Sequence, residues 1–323
     1  MKKVLVLSTL IPALLSPTLC FSSDEVENGF SGEISSGLIF ISNANNLNPS
    51  GSKKVLSTLG SSPERQLSTI PILLPEVTYR FGGDSQFAWY FNTAAPIEEA
   101  GEFALSSGFA YHRPGLAYFE TGLFFVPFAE VWENPYLLNQ TRRETDVTTW
   151  GAQFAINRLF DSELRLKFAY LSEDVDNDSL AILFPDLARN GEIYGLSVSY
   201  ELFSGSNFPV RPKMSLNKGE YDGESSSFVK VKTEISGVYT AGRYSLMPSL
   251  YYSYREHDDQ DPVFHSTRSE NGYGANLAVK YDGLFGIESV ALLALVGYSR
   301  GEASESFYDT ESLVCGLGLT YRF

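Results

Sequence analysis

Six cations recur at alternate positions on three nearby stretches of the chain: Arg165 and Lys167, Arg211 and Lys213, Lys230 and Lys232. A spacing of two puts both members of a pair on one face of an extended strand, because successive strand side chains point to opposite sides. Three such pairs side by side make a ladder of positive charge. Facing a water-filled passage, the ladder favours anionic solutes, since a low-dielectric wall focuses its field into the space it encloses. Glu163, Glu201 and Glu234 share that face. The alternative is therefore that the cations pair with these carboxylates, stiffening the wall and leaving little field.

Other reactive residue types are sparse. The three histidines are His112, in a tight turn, and His257 and His265, which share one polar stretch with Asp258 and Asp259. A histidine beside carboxylates can activate water, but proximity in one acidic loop defines no catalytic constellation, and the chain is read as a non-enzyme. Asp174, Asp176 and Asp178 alternate like the start of a calcium loop, yet Ser179 stands where the turn glycine belongs and no bidentate glutamate follows. Phosphate-loop, Cys-x-x-Cys and His-Glu-x-x-His motifs are absent from the sequence. No cofactor and no metal site is expected.

The elements that must carry the ladder are strands. From Glu163 onward, Leu164, Leu166, Phe168 and Tyr170 alternate with Glu163, Arg165, Lys167 and Ala169, an apolar face back to back with a charged one. The same period of two recurs around 30–41, 73–81, 86–92, 103–111, 116–126, 146–156, 163–171, 192–202, 208–217, 228–239, 244–255, 272–281, 287–299 and 312–323, which makes fourteen strands, with twelve or sixteen as alternatives. Connectors alternate in length. Tight ones carry turn residues, as in His112-Arg113-Pro114-Gly115 and Ala241-Gly242-Arg243. Long ones at 43–72, 127–145, 172–191, 256–271 and 300–311 are polar. Such asymmetry is that of a transmembrane barrel, with tight periplasmic turns and longer outer loops.

Aromatic residues sit where interfacial belts need them. Phe81, Tyr111, Tyr200, Tyr239, Tyr281 and Tyr321 end the strands that descend to the tight turns, whereas Phe40, Phe91, Tyr170, Tyr254 and Tyr298 fall near the long loops.

Composition supports this class. The chain has 323 residues, a formal net charge of -15, 43% hydrophobic and 14% aromatic residues. Such acidity excludes a nucleic-acid protein, which needs a clustered basic excess, and such apolar content excludes disorder. Residues 1–22 read as a cleaved export signal, with Lys2 and Lys3 ahead of a short apolar run broken by Pro12. Cleavage after Ser22 leaves 23–323 as the barrel and Cys315 as its one cysteine, so no internal disulfide is expected. Lipidation at Cys20 is the competing reading, against which Leu19 stands where a small residue should precede the cysteine.

The chain ends Leu317-Gly318-Leu319-Thr320-Tyr321-Arg322-Phe323, with apolar or aromatic residues at alternate positions and a terminal phenylalanine. This resembles the closing strand of Gram-negative outer-membrane β-barrel proteins of the porin-like kind. The resemblance implies an all-β, antiparallel up-and-down barrel in the bacterial outer membrane, among lipid and lipopolysaccharide. It also implies that Leu317, Leu319, Tyr321 and Phe323 are the signal read by the barrel-assembly machinery.

Fourteen strands enclose a modest pore. On the inward phase stand Arg80, Arg255, Lys280 and Arg322 together with the six ladder cations, against Glu33, Glu76, Glu120, Glu163, Glu201 and Glu234. The lumen is thus expected to be basic while loops and ends are acidic. The longest loop, 43–72, with Lys53, Lys54, Glu64 and Arg65, is the candidate constriction. The expected function is passive diffusion of small hydrophilic solutes, anionic ones included, through a monomer. A non-conducting surface barrel whose outer loops bind a ligand or partner is the alternative.

Overall fold

The computed structural model describes residues 28–83, 86–101 and 103–323. The export signal expected at 1–22 lies outside them. Strands run up and down in chain order: β1 (Gly29–Ala44), β2 (Gln66–Phe81), β3 (Phe87–Ala94), β4 (Phe103–Arg113), β5 (Ala117–Trp132), β6 (Glu144–Asn157), β7 (Leu164–Val175), β8 (Gly191–Tyr200), β9 (Val210–Tyr221), β10 (Phe228–Gly237), β11 (Tyr239–Ala241), β12 (Tyr244–Asp261), β13 (Ser266–Asp282), β14 (Val290–Ala303) and β15 (Thr310–Arg322). β10 and β11 both pair with β12 and form one stave interrupted at Val238, so the wall has fourteen staves. β15 pairs back onto β1, with Gly37 opposite Gly318 and Glu33 opposite Arg322, and the sheet closes into a barrel.

Every stave expected from the period of two is present, and all neighbours are antiparallel. The differences lie at the outer ends. β12 and β13 run for 18 and 17 residues, so most of the connection expected at 256–271 is strand, turned at 262–265. About 9–11 residues suffice to cross the hydrocarbon. Beyond it both faces of a strand meet water, so polar residues occupy both phases and the alternation fades while the backbone pairing continues.

Side chains on the outer phase are apolar and exposed, among them Phe30 (68%), Leu123 (66%) and Leu250 (57%). Two aromatic girdles bound this surface. The lower one is continuous over four staves, with Phe30, Tyr79, Phe81, Phe87 and Tyr111 in ring contact at 4.5–5.8 Å. The upper one includes Trp150, Tyr170 and Tyr194, and the last two donate to Glu192 at 2.8 and 2.6 Å. Apolar ring bodies with a wet hydroxyl tip suit that depth. No helix among the described residues is long and apolar enough to cross a membrane; α1 (Ser179–Leu183) is a single outer turn.

Inside, the barrel is less polar than the sequence suggests. Phe124, Val126, Val147, Leu171, Ile193 and Phe228 pack into one buried cluster with Ile97 from the β3–β4 connection. Ile39, Ile41 and Val314 form a second cluster with Ile70, Ile72 and Leu295. The inward phase therefore carries hydrophobic sectors as well as the charged ladder.

Candidate functional site: the charged lumen

The loop that enters the barrel is the short one between β3 and β4. β3 has only 8 residues, so the connection leaves the wall low and turns across the lumen through a helical turn at Glu98–Ala100. Ile97 and Ala100 anchor it in the apolar cluster. Glu98 and Glu99 then reach the opposite wall. Lys230 lies 3.0 Å from Glu98 and 3.1 Å from Glu99, Lys232 lies 2.9 Å from Glu98, and Arg255 stands 3.6 Å from Glu99. Asn217 donates to the other Glu99 oxygen at 2.7 Å. Side-chain exposure of 4–11% at Glu98, Glu99, Lys230 and Lys232 makes this a buried cluster in which each charge depends on the others. Burial alone would raise the carboxyl pKa of Glu98, but Lys230 and Lys232 override it and hold the group well below the usual range.

This revises the reading of the ladder. Lys230 and Lys232 face the lumen as expected, but their principal partners come from a loop rather than from the wall; Glu234 stands 3.8 Å from Lys232. Arg211 is paired with Glu201 at the periplasmic rim, where Glu163 accepts from Ser204 at 3.0 Å. Arg165 faces the lumen between Asn157 and Ser199 in register. Lys167 lies between Ala155 and Ser197, and Lys213 between Ser199 and Glu234. Neither Lys167 nor Lys213 has a carboxylate within ion-pair distance among the described residues.

The expected excess of lumen cations is also reduced. Glu173 accepts from Tyr221 at 2.5 Å, and Glu270 meets Arg268 at 3.1 Å and Arg255 at 3.6 Å. Both carboxylates fall in stretches read as outer loops, and with Glu98 and Glu99 they offset most of the inward cations.

The 43–72 segment is not the constriction. β1 extends to Ala44 and β2 begins at Gln66, and the residues between fold over the mouth. Lys53 pairs with Glu64 at 2.5 Å, Lys54 with Glu144 at 3.2 Å, and Arg65 with Glu311, all on the exposed rim. The cap is held instead by Arg142, which is 2% exposed. Its guanidinium donates to the carbonyls of Asn46 and Pro135 at 2.9 and 3.1 Å and to Ser52 Oγ at 2.8 Å, and lies 4.3 Å over the Trp132 ring. With no carboxylate to offset it, burial pushes this guanidinium down to about 10. Beside it Tyr136, Phe264, Phe307 and Tyr308 make a ring cluster, with the two tyrosine hydroxyls 2.7 Å apart. His257, considered for catalysis, is buried beneath the cap between Ser225 O and Arg268. No metal-binding group of His, Cys, Asp or Glu exists among the described residues.

Leu317, Leu319, Tyr321 and Phe323 are 57%, 45%, 51% and 50% exposed on the outer phase of β15, where the lipid lies. Gly32 and Phe323 exchange backbone hydrogen bonds at 3.0 and 3.1 Å, which fastens the chain end to β1.

A closed antiparallel sheet, whose strands pair their backbone groups with one another, under an apolar outer surface between two aromatic girdles is the architecture that crosses a membrane. The molecule is a porin-like outer-membrane β-barrel, and it resides in the bacterial outer membrane. It belongs to the family described as "Protein of unknown function (DUF2860)", whose pattern matches residues 29–322. No curated protein matches the sequence. Among solved structures it is similar to OmpTdeltaL8, a loop-deletion mutant of the OmpT outer membrane protein of Vibrio cholerae, at 11% identity and TM-score 0.44, covering 93% of this chain and 100% of that one. An anion-selective porin from Comamonas acidovorans matches at 8% identity and TM-score 0.42, covering 92% and 99%. A Pseudomonas aeruginosa FadL homologue matches at 11% identity and TM-score 0.42, covering 91% and 90%.

Proposed function

We propose that the barrel is a diffusion channel for small hydrophilic solutes, narrowed from within by the β3–β4 connection. The observation that carries this is the cross-lumen pinning of Glu98 and Glu99 by Lys230, Lys232 and Arg255. A loop held against the far wall by charge sets a limiting width without filling the space below it. In that lower space Lys167 and Lys213 keep their charge open to solutes and give a modest preference for anions. The field is that of two lysines rather than of the whole ladder. Mechanism is then diffusion filtered by the width beside the loop and by local charge, with no chemical step. The protein acts as a monomer embedded in lipid and lipopolysaccharide, assembled through its closing strand.

Reversal potential under a salt gradient tests this reading in a planar bilayer containing the full barrel. Discrete open steps with a reversal potential displaced toward anions are expected. A folded barrel that never opens contradicts the channel and favours the second reading, a closed surface barrel whose outer loops engage a partner. The ordered cap around Arg142 and Tyr308 is the feature that supports that second reading.

A further inference from the structure

Below the pinned loop, on the wall formed by β7, β8 and β9, the inward phase brings cations and hydroxyls together. In register, Lys167 on β7 stands beside Ser197 on β8, and Lys213 on β9 stands beside Ser199, two residues nearer the periplasm. Arg165 is on the other side of Ser199. The middle strand thus carries short side chains where both flanking strands carry long ones, which makes a trough along β8. β7 and β9 are two strand spacings apart, about 9.5 Å, and Lys167 and Lys213 are near enough for their like charges to act on each other. Ser197 and Ser199 floor the trough. Both are half-buried, and neither hydroxyl has a hydrogen-bond partner among the described residues.

The β3–β4 connection roofs this trough. Gly195 is the next inward position on β8 toward the outer end, and a Cβ there would stand 2.6 Å from Ile97 Cδ1. Ile97 belongs to that connection, so the constriction begins directly above the serines. Carboxylates in the same rows are turned to other groups. Glu120, which follows Lys167 and Ala155 along one row, accepts from Asn157 at 2.8 Å. Glu234, opposite Lys213, has Lys232 at 3.8 Å. Lys167 and Lys213 therefore bring two positive charges to the trough, with no carboxylate at ion-pair distance among the described residues.

We infer that this trough binds a phosphate group, with the ammoniums of Lys167 and Lys213 and the hydroxyls of Ser197 and Ser199 as its donors. A phosphate dianion offsets both lysines at once and relieves their repulsion. Its several acceptor oxygens take hydrogen bonds from ammoniums on two sides and from hydroxyls below at the same time. Chloride carries the charge for one lysine only, and a carboxylate presents two oxygens in one plane. Arg165 adds positive charge on the periplasmic side. The inference deepens the channel reading by naming the solute class held beneath the constriction, and it rests on that reading for the solute's passage.

The test is isothermal titration of the full refolded barrel in detergent, at low ionic strength and neutral pH, with inorganic phosphate, acetate and chloride. Saturable phosphate binding is expected, about tenfold tighter than acetate or chloride, because charge-assisted hydrogen bonds are the strong ones. Lys167→Gln with Lys213→Gln should weaken it about tenfold or more, in a barrel that keeps its folded gel mobility. Ser197→Ala with Ser199→Ala should weaken it about fivefold and leave the reversal potential in potassium chloride at the wild-type value. Phosphate binding that does not saturate, that acetate or chloride equals, or that either folded variant retains in full overturns the inference. Where a variant does not fold, the wild-type ranking of the three probes decides alone. Glycerol phosphate is titrated beside the free ion: tighter binding assigns the solute to phosphate monoesters, weaker binding to inorganic phosphate. Titration in detergent needs no conduction, so phosphate binding by a silent barrel would refute the channel alone, and open steps without phosphate binding would refute the site alone.

Discussion

Lys213 and Lys230 stand on adjacent strands of one wall, yet their surroundings are opposites. Lys230 is 7% exposed and held between two carboxylates of a loop that crosses the lumen, whereas Lys213 is exposed to the space below with no carboxylate at ion-pair distance. The same contrast separates the two halves of the barrel. The outer half is narrowed by packing and paired charge: the apolar cluster around Phe124, the pinned β3–β4 connection, and the cap on Arg142. In the inner half Lys213 is exposed and Lys167 half-buried, and neither meets a carboxylate at ion-pair distance among the described residues. A lysine in a barrel wall thus has no fixed role. What the neighbouring loop delivers decides whether it is held in a buried ion pair or left without one.

Breaking the pinned cluster should have the largest effect. Glu98→Gln with Glu99→Gln leaves Lys230 buried without a carboxylate and Lys232 with only Glu234 at 3.8 Å, and removing one side of a buried pair costs about 3–5 kcal/mol. Urea unfolding in lipid vesicles reads this loss. Arg142→Ala comes next. It strands the carbonyls of Asn46 and Pro135, at about 1–3 kcal/mol for each buried group that water cannot reach, and should expose the 45–65 segment to protease while the barrel stays folded. Both changes act on the outer half.

Lys167→Gln with Lys213→Gln should leave stability nearly unchanged and move the reversal potential toward cations under a salt gradient. An unmoved potential would assign the anion preference elsewhere. The smallest effect concerns pH. The Glu98 carboxyl is held below its ordinary value by Lys230 and Lys232 despite burial. Its contribution is therefore fully present above the unfolded carboxyl value of about 4.5 and is lost only as pH falls through the depressed folded value. Conductance at pH 4.5 should match conductance at pH 7. Larger, noisier steps at pH 4.5, like those of the Glu98→Gln, Glu99→Gln variant, would mean that the loop is not held by this carboxylate.

The fourteen staves, both girdles and the lipid-facing closing strand were legible because each depends on local alternation or on residues at a chain end. Lumen architecture was less so. The 43–72 segment drew attention by its length, but entry into the barrel depends on where a strand stops, and β3 stops at Ala94. Ile97-Glu98-Glu99 carried the signal, an apolar anchor followed by two acids in a chain whose strand lysines needed partners. Its meeting with Lys230 and Lys232, more than a hundred residues away, is set by barrel closure, which no local pattern encodes. Glu173 and Glu270 were missed for a related reason, since their strands continue past the membrane where the period of two fades.

The central claim is that the pinned β3–β4 connection limits passage through an otherwise open barrel. Single-channel conductance of the wild-type barrel and of the Glu98→Gln, Glu99→Gln variant, recorded side by side in planar bilayers, tests it most directly. The account predicts small steady steps for the wild type and larger, noisier steps for the variant as the loop swings free. Identical conductance from two folded barrels, or silence from both, would contradict it.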